Sequence, residues 1–126
     1  MKKPLISLLL ALCGMPCNAA TITKWQEKQV LTALGSYCGN SWCEGDFDYK
    51  FKSLTCKAKS DSCRLGFTLV NRAENTRSKS ECTYSPVRNF REVMTGVGGP
   101  ESLNDGFLEA LDDCFEKAEA RAALAQ

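Results

Sequence analysis

Three carboxylates crowd the run Cys43-Glu44-Gly45-Asp46-Phe47-Asp48. Two acids this close can in principle act as the acid and base of a glycoside hydrolase, and acidic loops can hold Ca²⁺. Each chemistry needs more than proximity. A glycosidase needs a cleft that gives its two acids different environments, whereas Asp46 and Asp48 alternate onto the polar side of one segment. A calcium loop needs a Gly and a Glu at set positions, and these are missing here. Glu44, Asp46 and Asp48 are therefore expected to be solvated face and turn residues first, and a catalytic set only as the alternative.

The chain contains no histidine. That excludes Ser-His-Asp and Cys-His nucleophilic sites, His-based acid–base pairs and His-ligated zinc. The eight cysteines contain no Cys-x2-Cys pair, so no metal site and no cofactor are expected. The stretch from Gly96 to Ser102 is rich in glycine before a helix, as anion cradles are. It lacks a preceding strand and a Lys in register, and a plain turn or hinge is the expectation.

The elements that must position these residues begin after an export signal. Lys2 and Lys3 precede an apolar run from Leu5 to Leu12, and small residues follow up to Ala19 and Ala20. That layout is a cleavable secretory signal over residues 1–20, leaving residues 21–126 as one domain. The run is too short for a membrane anchor, which needs about 20 apolar residues. Cleavage discards Cys13 and Cys17 and takes the formal charge from +1 to −1. No nucleic-acid partner and no stable membrane insertion are expected from that balance. The compartment expected is a periplasm, with the extracellular space as the alternative.

Cys38, Cys43, Cys56, Cys63, Cys82 and Cys114 remain, an even set in a small exported domain, which reads as a disulfide framework. Cys38 and Cys43 are close enough in sequence to close a small ring. Cys56 and Cys63 fall at matching ends of two strands. Cys82 and Cys114 pair by elimination.

Phe47, Tyr49 and Phe51 alternate with charged residues, and Leu54 and Cys56 continue the apolar set on the opposite parity. A bulge at Lys52-Ser53 restores them to one face. Cys63 to Leu69 form the second strand and Arg77 to Tyr84 the third, whose charges are expected to guard the sheet edge. Before the strands, Thr23 and Gln26 form a capping box for a helix that Gly35 ends, with Trp25 as a helix-to-sheet anchor. After them, Ser85 caps a short helix with Pro86 in its first turn, burying Val87, Phe90 and Val93 or Met94. Ser102 caps a last helix whose stripe is Leu103, Phe107, Leu111, Cys114 and Ala118. The fold class expected is thus α+β: an N-terminal helix, a three-stranded antiparallel sheet, and two C-terminal helices packed on it, stapled by three disulfides.

Charge is unevenly spread. Basic residues dominate from Lys50 to Arg91 and acidic ones from Glu101 to Glu119. An acidic helix near a basic sheet explains this, and so does a charged face for a partner. With His-based catalysis excluded, a rigid scaffold that presents loops points to a protein-binding module in the cell envelope, of the inhibitor or immunity type. The alternatives are a carboxylate-dependent hydrolase of envelope glycans and an accessory subunit of an envelope assembly. The partner-binding candidates are Trp42, Glu44, Asp46 and Asp48 on one rim and Lys57 and Lys59 on the hairpin tip. Trp42 either displays its ring from the small disulfide loop or folds it back over the core; the sequence leaves both open.

Overall fold

The computed structural model describes residues 22–57, 59–96 and 98–124. The expected signal peptide lies outside the described residues. Helix α1 spans Lys24–Gly39 and is closed at its start by the capping box: the Gln26 amide donates to Thr23 Oγ1, and the Thr23 amide donates to Gln26 Oε1. Gly35 does not end it. A Cβ at Gly35 would meet nothing within 4 Å, so this glycine sits on an open helix surface. The helix runs on because Cys38 is buried on the same face as Val30, Ala33 and Leu34.

Three strands follow: β1 (Phe47–Lys57), β2 (Ser62–Asn71) and β3 (Thr76–Tyr84), antiparallel in the order β1-β2-β3. The expected bulge is present. Phe51 pairs with Phe67, Ser53 pairs with Gly66, and the register shifts between them. The extra residue keeps Tyr49, Leu54 and Cys56 together on the buried face. Gly66 is what admits the bulge, since a Cβ there would come within 2.9 Å of Ser53 Oγ.

Helix α2 (Asp105–Leu124) buries Phe107, Leu111, Phe115 and Ala118. Both helices lie on one face of the sheet, where Leu65, Phe67, Leu69 and Cys82 complete the core. Cys114 is only half-buried because its sulfur reaches sideways to β3. All three disulfides join the expected partners: Cys38–Cys43, Cys56–Cys63 and Cys82–Cys114 have Cα atoms 5.0, 4.0 and 6.0 Å apart.

Besides the stop at Gly35, three expectations fail. Among the described residues from Ser85 to Asn104 no α-helix forms; the Ser85–Pro86 peptide bond is cis, and a 3-10 turn stands at Phe90–Glu92. Asn89 Oδ1 accepts from Arg91 N, the amide that would donate to the Val87 carbonyl in a helix, and Glu92 Oε2 accepts from Arg88 N. The segment is instead tied to the hairpin tip by the Val87 amide, which donates to Asp61 O at 2.6 Å. Its apolar residues still find the core, for Val87, Val93 and Met94 are all buried. The cap of α2 is Asn104 and not Ser102. Asn104 Oδ1 accepts from Gly106 N and Phe107 N, while the Ser102 carbonyl accepts from Thr95 N. Trp25 is no anchor either, being 56% exposed.

Candidate functional site

The alternation of a half-buried strand sends every second side chain away from the core. Among the described residues both helices lie on one face of the sheet, and the other is covered by no element. From β1 it carries Asp48, Lys50, Lys52, Thr55 and Lys57. From β2 it carries Arg64, Gly66 and Thr68, and from β3 Arg77, Lys79, Glu81 and Thr83. Lys50 lies opposite Thr68, which lies opposite Lys79, so the two lysines flank one neutral row. At Gly66 the face dips into a hollow of ≈ 480 Å³ lined by Lys52, Thr68, Lys79 and Glu81.

Cations prevail on this face. Asp48 is engaged by Lys50 at 3.2 Å and by Arg72 at 3.6 Å, and Glu81 by Arg64 at 3.8 Å. Among the described residues, no carboxylate lies within ion-pair distance of Lys52, Lys57, Arg77 or Lys79. The aromatic rings carried by the strands are all on the other side of the sheet. This face therefore offers charge and hydroxyl groups but no stacking platform for bases or sugars.

The expected rim residues divide between its two ends. Glu44 and Asp46 are exposed on the turn that follows α1, and Asp48 begins the outer row of β1. Lys57 ends that row, and Lys59 is exposed on the hairpin tip. From Asp48 to Lys57 is about 30 Å along the strand at ~3.3 Å per residue. The two sets cannot converge on one small ligand. Nor do the three carboxylates share one cleft, since Asp48 is held in an ion-pair cluster while Glu44 and Asp46 face solvent. Among the described residues, no group of three or more acidic or cysteine side chains is placed to hold a metal ion.

Trp42 takes the second of its two expected courses. Its ring is half-buried, edge-on to Phe115 with centroids 4.7 Å apart and edge-on to Tyr37 at 4.9 Å. The indole N–H donates to Asp112 Oδ1 on α2. The loop is thus fastened from inside by an aromatic wedge, and what it shows outward is Glu44 and Asp46. Deeper in the same cluster, the Tyr49 hydroxyl donates to Glu119 Oε2. Burial first, then that bond and the Glu119 charge, push the phenol well above its ordinary range, so it remains a neutral donor at physiological pH.

Arg72, just past the end of β2, is the residue sequence reading missed. Its guanidinium donates to the carbonyls of Gly45 (2.6 Å), Phe47 (3.2 Å) and Cys43 (3.0 Å) and pairs with Asp48. One planar fork reads three backbone carbonyls and so sets the path of the acidic turn. Replacing Arg72 with Ala should lower stability by only about 1 kcal/mol, because the group is half-exposed and solvent replaces part of what is lost. The larger effect should be local: amide exchange at residues 43–47 rises in hydrogen-exchange mass spectrometry, and Arg72→Lys does not restore protection. Unchanged exchange would show the turn to be held by the disulfide and Trp42 alone.

Comparison of the chain with protein-family models, with curated proteins and with solved structures gave no match. The fold and the exposed face define its class: a disulfide-stapled α+β domain with one side of its sheet packed and the other open. Among the described residues, no helix is long and apolar enough to cross a membrane.

Proposed function

We propose that this chain is an exported, periplasmic protein-binding module of the inhibitor or immunity type, which neutralises an envelope-targeting enzyme by holding an acidic surface of it against the open face of the sheet. The observation that carries the reading is the unpaired cation set on that face, Lys52, Lys57, Arg77 and Lys79. A standard interface buries about 800 Å² per partner, a patch about 30 Å across. That matches the run from Asp48 to Lys57, so one partner reaches both rims only by lying along the strands between them. Disulfides and strands hold this surface rigid before binding, which limits the entropy lost on association. Unpaired surface cations are cheap to leave in water and become favourable opposite complementary charge.

The test is capture of a partner from a periplasmic extract by the purified chain, followed by assay of the captured enzyme. Lys52→Glu/Lys57→Glu should weaken capture at least about tenfold and slow association, and raised salt should mimic it. Asp113→Lys, on the helical side, should leave capture unchanged. The captured enzyme should lose hydrolytic activity when the chain is added. Capture indifferent to the lysine pair, or sensitive to Asp113, would remove the sheet face from the reading. Release of soluble fragments from peptidoglycan by the chain alone, abolished by Glu44→Gln, would replace it with the hydrolase.

A further inference from the structure

The two edges of the sheet are treated unequally. β1 is broken by the bulge at Phe51/Ser53, and α1 closes over it there, Glu27 Oε2 accepting the Leu54 amide at 3.0 Å. A bulge and a covering carboxylate are two of the ways in which sheets blunt an edge against strand addition. β3 has neither. Its nine residues pair with β2 from Thr76↔Asn71 to Tyr84↔Cys63 without a register shift. Among the described residues, β2 is the only strand beside it. Helix α2 is tied to β3 from the inner face, through Cys82–Cys114 and through Arg121 Nη2, 3.4 Å from Ser80 Oγ. These ties hold the strand from above, and Cys114 Sγ also lies 3.7 Å from the Glu81 carbonyl; Thr76 to Lys79, Glu81 and Thr83 are nonetheless exposed.

The charges expected to guard this edge are complementary to themselves. If a second β3 runs antiparallel with Ser80 opposite Ser80, Lys79 falls opposite Glu81 of the other copy, twice by symmetry. Arg77 falls opposite Thr83 and diagonal to the same Glu81. On the inner row Ser80 meets Ser80 and Ser78 meets Cys82, small side chains whose ties run upward to Arg121 and Cys114 of α2. A register moved by two residues centres on Lys79 and sets Lys79 opposite Lys79, although Arg77 then meets Glu81; one moved by four, about Ser78, sets Arg77 opposite Lys79. Each places like charges opposite one another, so the charge pattern favours the Ser80 register.

We propose that β3 is the seam of a symmetric homodimer, in which two copies join edge to edge about Ser80 into one continuous sheet. The contact is isologous and closes on itself, so it ends at two copies. It rests on the edge and its sequence, not on the partner-binding reading. It would also place the two open faces side by side.

Sedimentation velocity of the full signal-free chain, up to about 200 µM, reads the association directly. The wild-type chain should shift from monomer towards dimer across this range. Lys79→Glu alone and Glu81→Lys alone should each weaken association about tenfold, since each sets like charges opposite one another at two symmetric places. The double variant Lys79→Glu/Glu81→Lys should restore it, because the exchanged charges again face their opposites. A wild-type chain that stays monomeric throughout, or a double variant no better than the singles, overturns the proposal. Circular dichroism confirms that each variant is folded. Should one of them not fold, oxidative cross-linking replaces it: Ser80→Cys should link two copies across the axis, whereas two copies of Ser78→Cys would stand about 13 Å apart at ~3.3 Å per residue and should not link. Equal linking at both positions, or at neither, counts against the seam. Neither lysine of the partner-capture variant lies on β3, so the two proposals fail separately.

Discussion

Replacing Phe115 with Ala should lower the free energy of unfolding by about 3–5 kcal/mol, as large-to-small changes of buried aromatics do. Phe115 is 1% exposed. Its ring lies 4.6 Å from Tyr49, 4.7 Å from Trp42 and 5.0 Å from Phe67, centroid to centroid. It is the point at which α2, the sheet and the disulfide-closed loop meet, so its removal leaves a cavity bounded by three elements and not by one. Rings that meet edge-on and tilted also contribute beyond their buried area, and Phe115→Leu should therefore recover only part of the loss. Urea titration followed by tryptophan fluorescence measures this, and Trp42 should report it strongly because its ring packs directly on Phe115. A loss under about 1 kcal/mol would mean that the surrounding rings collapse into the gap, and that this cluster does not govern docking of α2.

Removing the Cys82–Cys114 bridge as a Ser/Ser pair should have a comparable effect, about 4 kcal/mol, against about 2 kcal/mol for either of the short bridges. The ranking follows from loop length. Cys82 and Cys114 are 32 positions apart, whereas Cys56–Cys63 and Cys38–Cys43 span 7 and 5. A cross-link restricts the unfolded chain more when the loop it closes is longer. The segment inside this loop makes the effect plausible on structural grounds as well. Among its described residues, Ser85 to Asn104 form only short 3-10 turns and a single bridge between Met94 and Leu103, so little regular structure of its own holds α2 to β3. Thermal unfolding of the three double-serine variants compares them directly. Equal losses, or the greatest loss at Cys38–Cys43, would point to folded-state packing around the sulfurs as the source of their stabilisation.

The sheet was readable from sequence because two independent signals agreed there. Period-2 alternation fixed which side chains turn inward, and cysteines at matching strand ends fixed the hairpin register. Even the bulge followed, because Leu54 and Cys56 had the wrong parity for Phe47, Tyr49 and Phe51. The misreadings arose where a local rule stood alone. Gly35 resembles a helix stop, but the burial of Cys38 one turn later outweighs the small cost of a glycine in an exposed helical position. Ser85-Pro86 resembles a helix start, but the Asn89 side chain takes the Arg91 amide that a helix would use.

The candidate surface was legible in part. Basic bias from Lys50 to Arg91 could be seen, but not that these residues share an uncovered face, which depends on both helices choosing the same side. Arg72 gave no signal at all. An arginine in a polar turn looks like any other, and its carbonyl partners lie 25 to 29 positions earlier in the chain. Trp42 was undecidable for a related reason: an aromatic in a loop has no period to say which way it turns.

The one-sided packing of the sheet also bears on how such a protein can change. Along each strand, even and odd positions answer to separate demands, so the chain carries two interleaved texts. One is read by the helices and tolerates few edits. The other is read only by whatever meets the molecule from outside, and single edits in it shift stability by about 0.5 kcal/mol or less. A lineage of such chains could rewrite its outward text repeatedly, meeting new opponents, while the inward text and its three cross-links stay as they are.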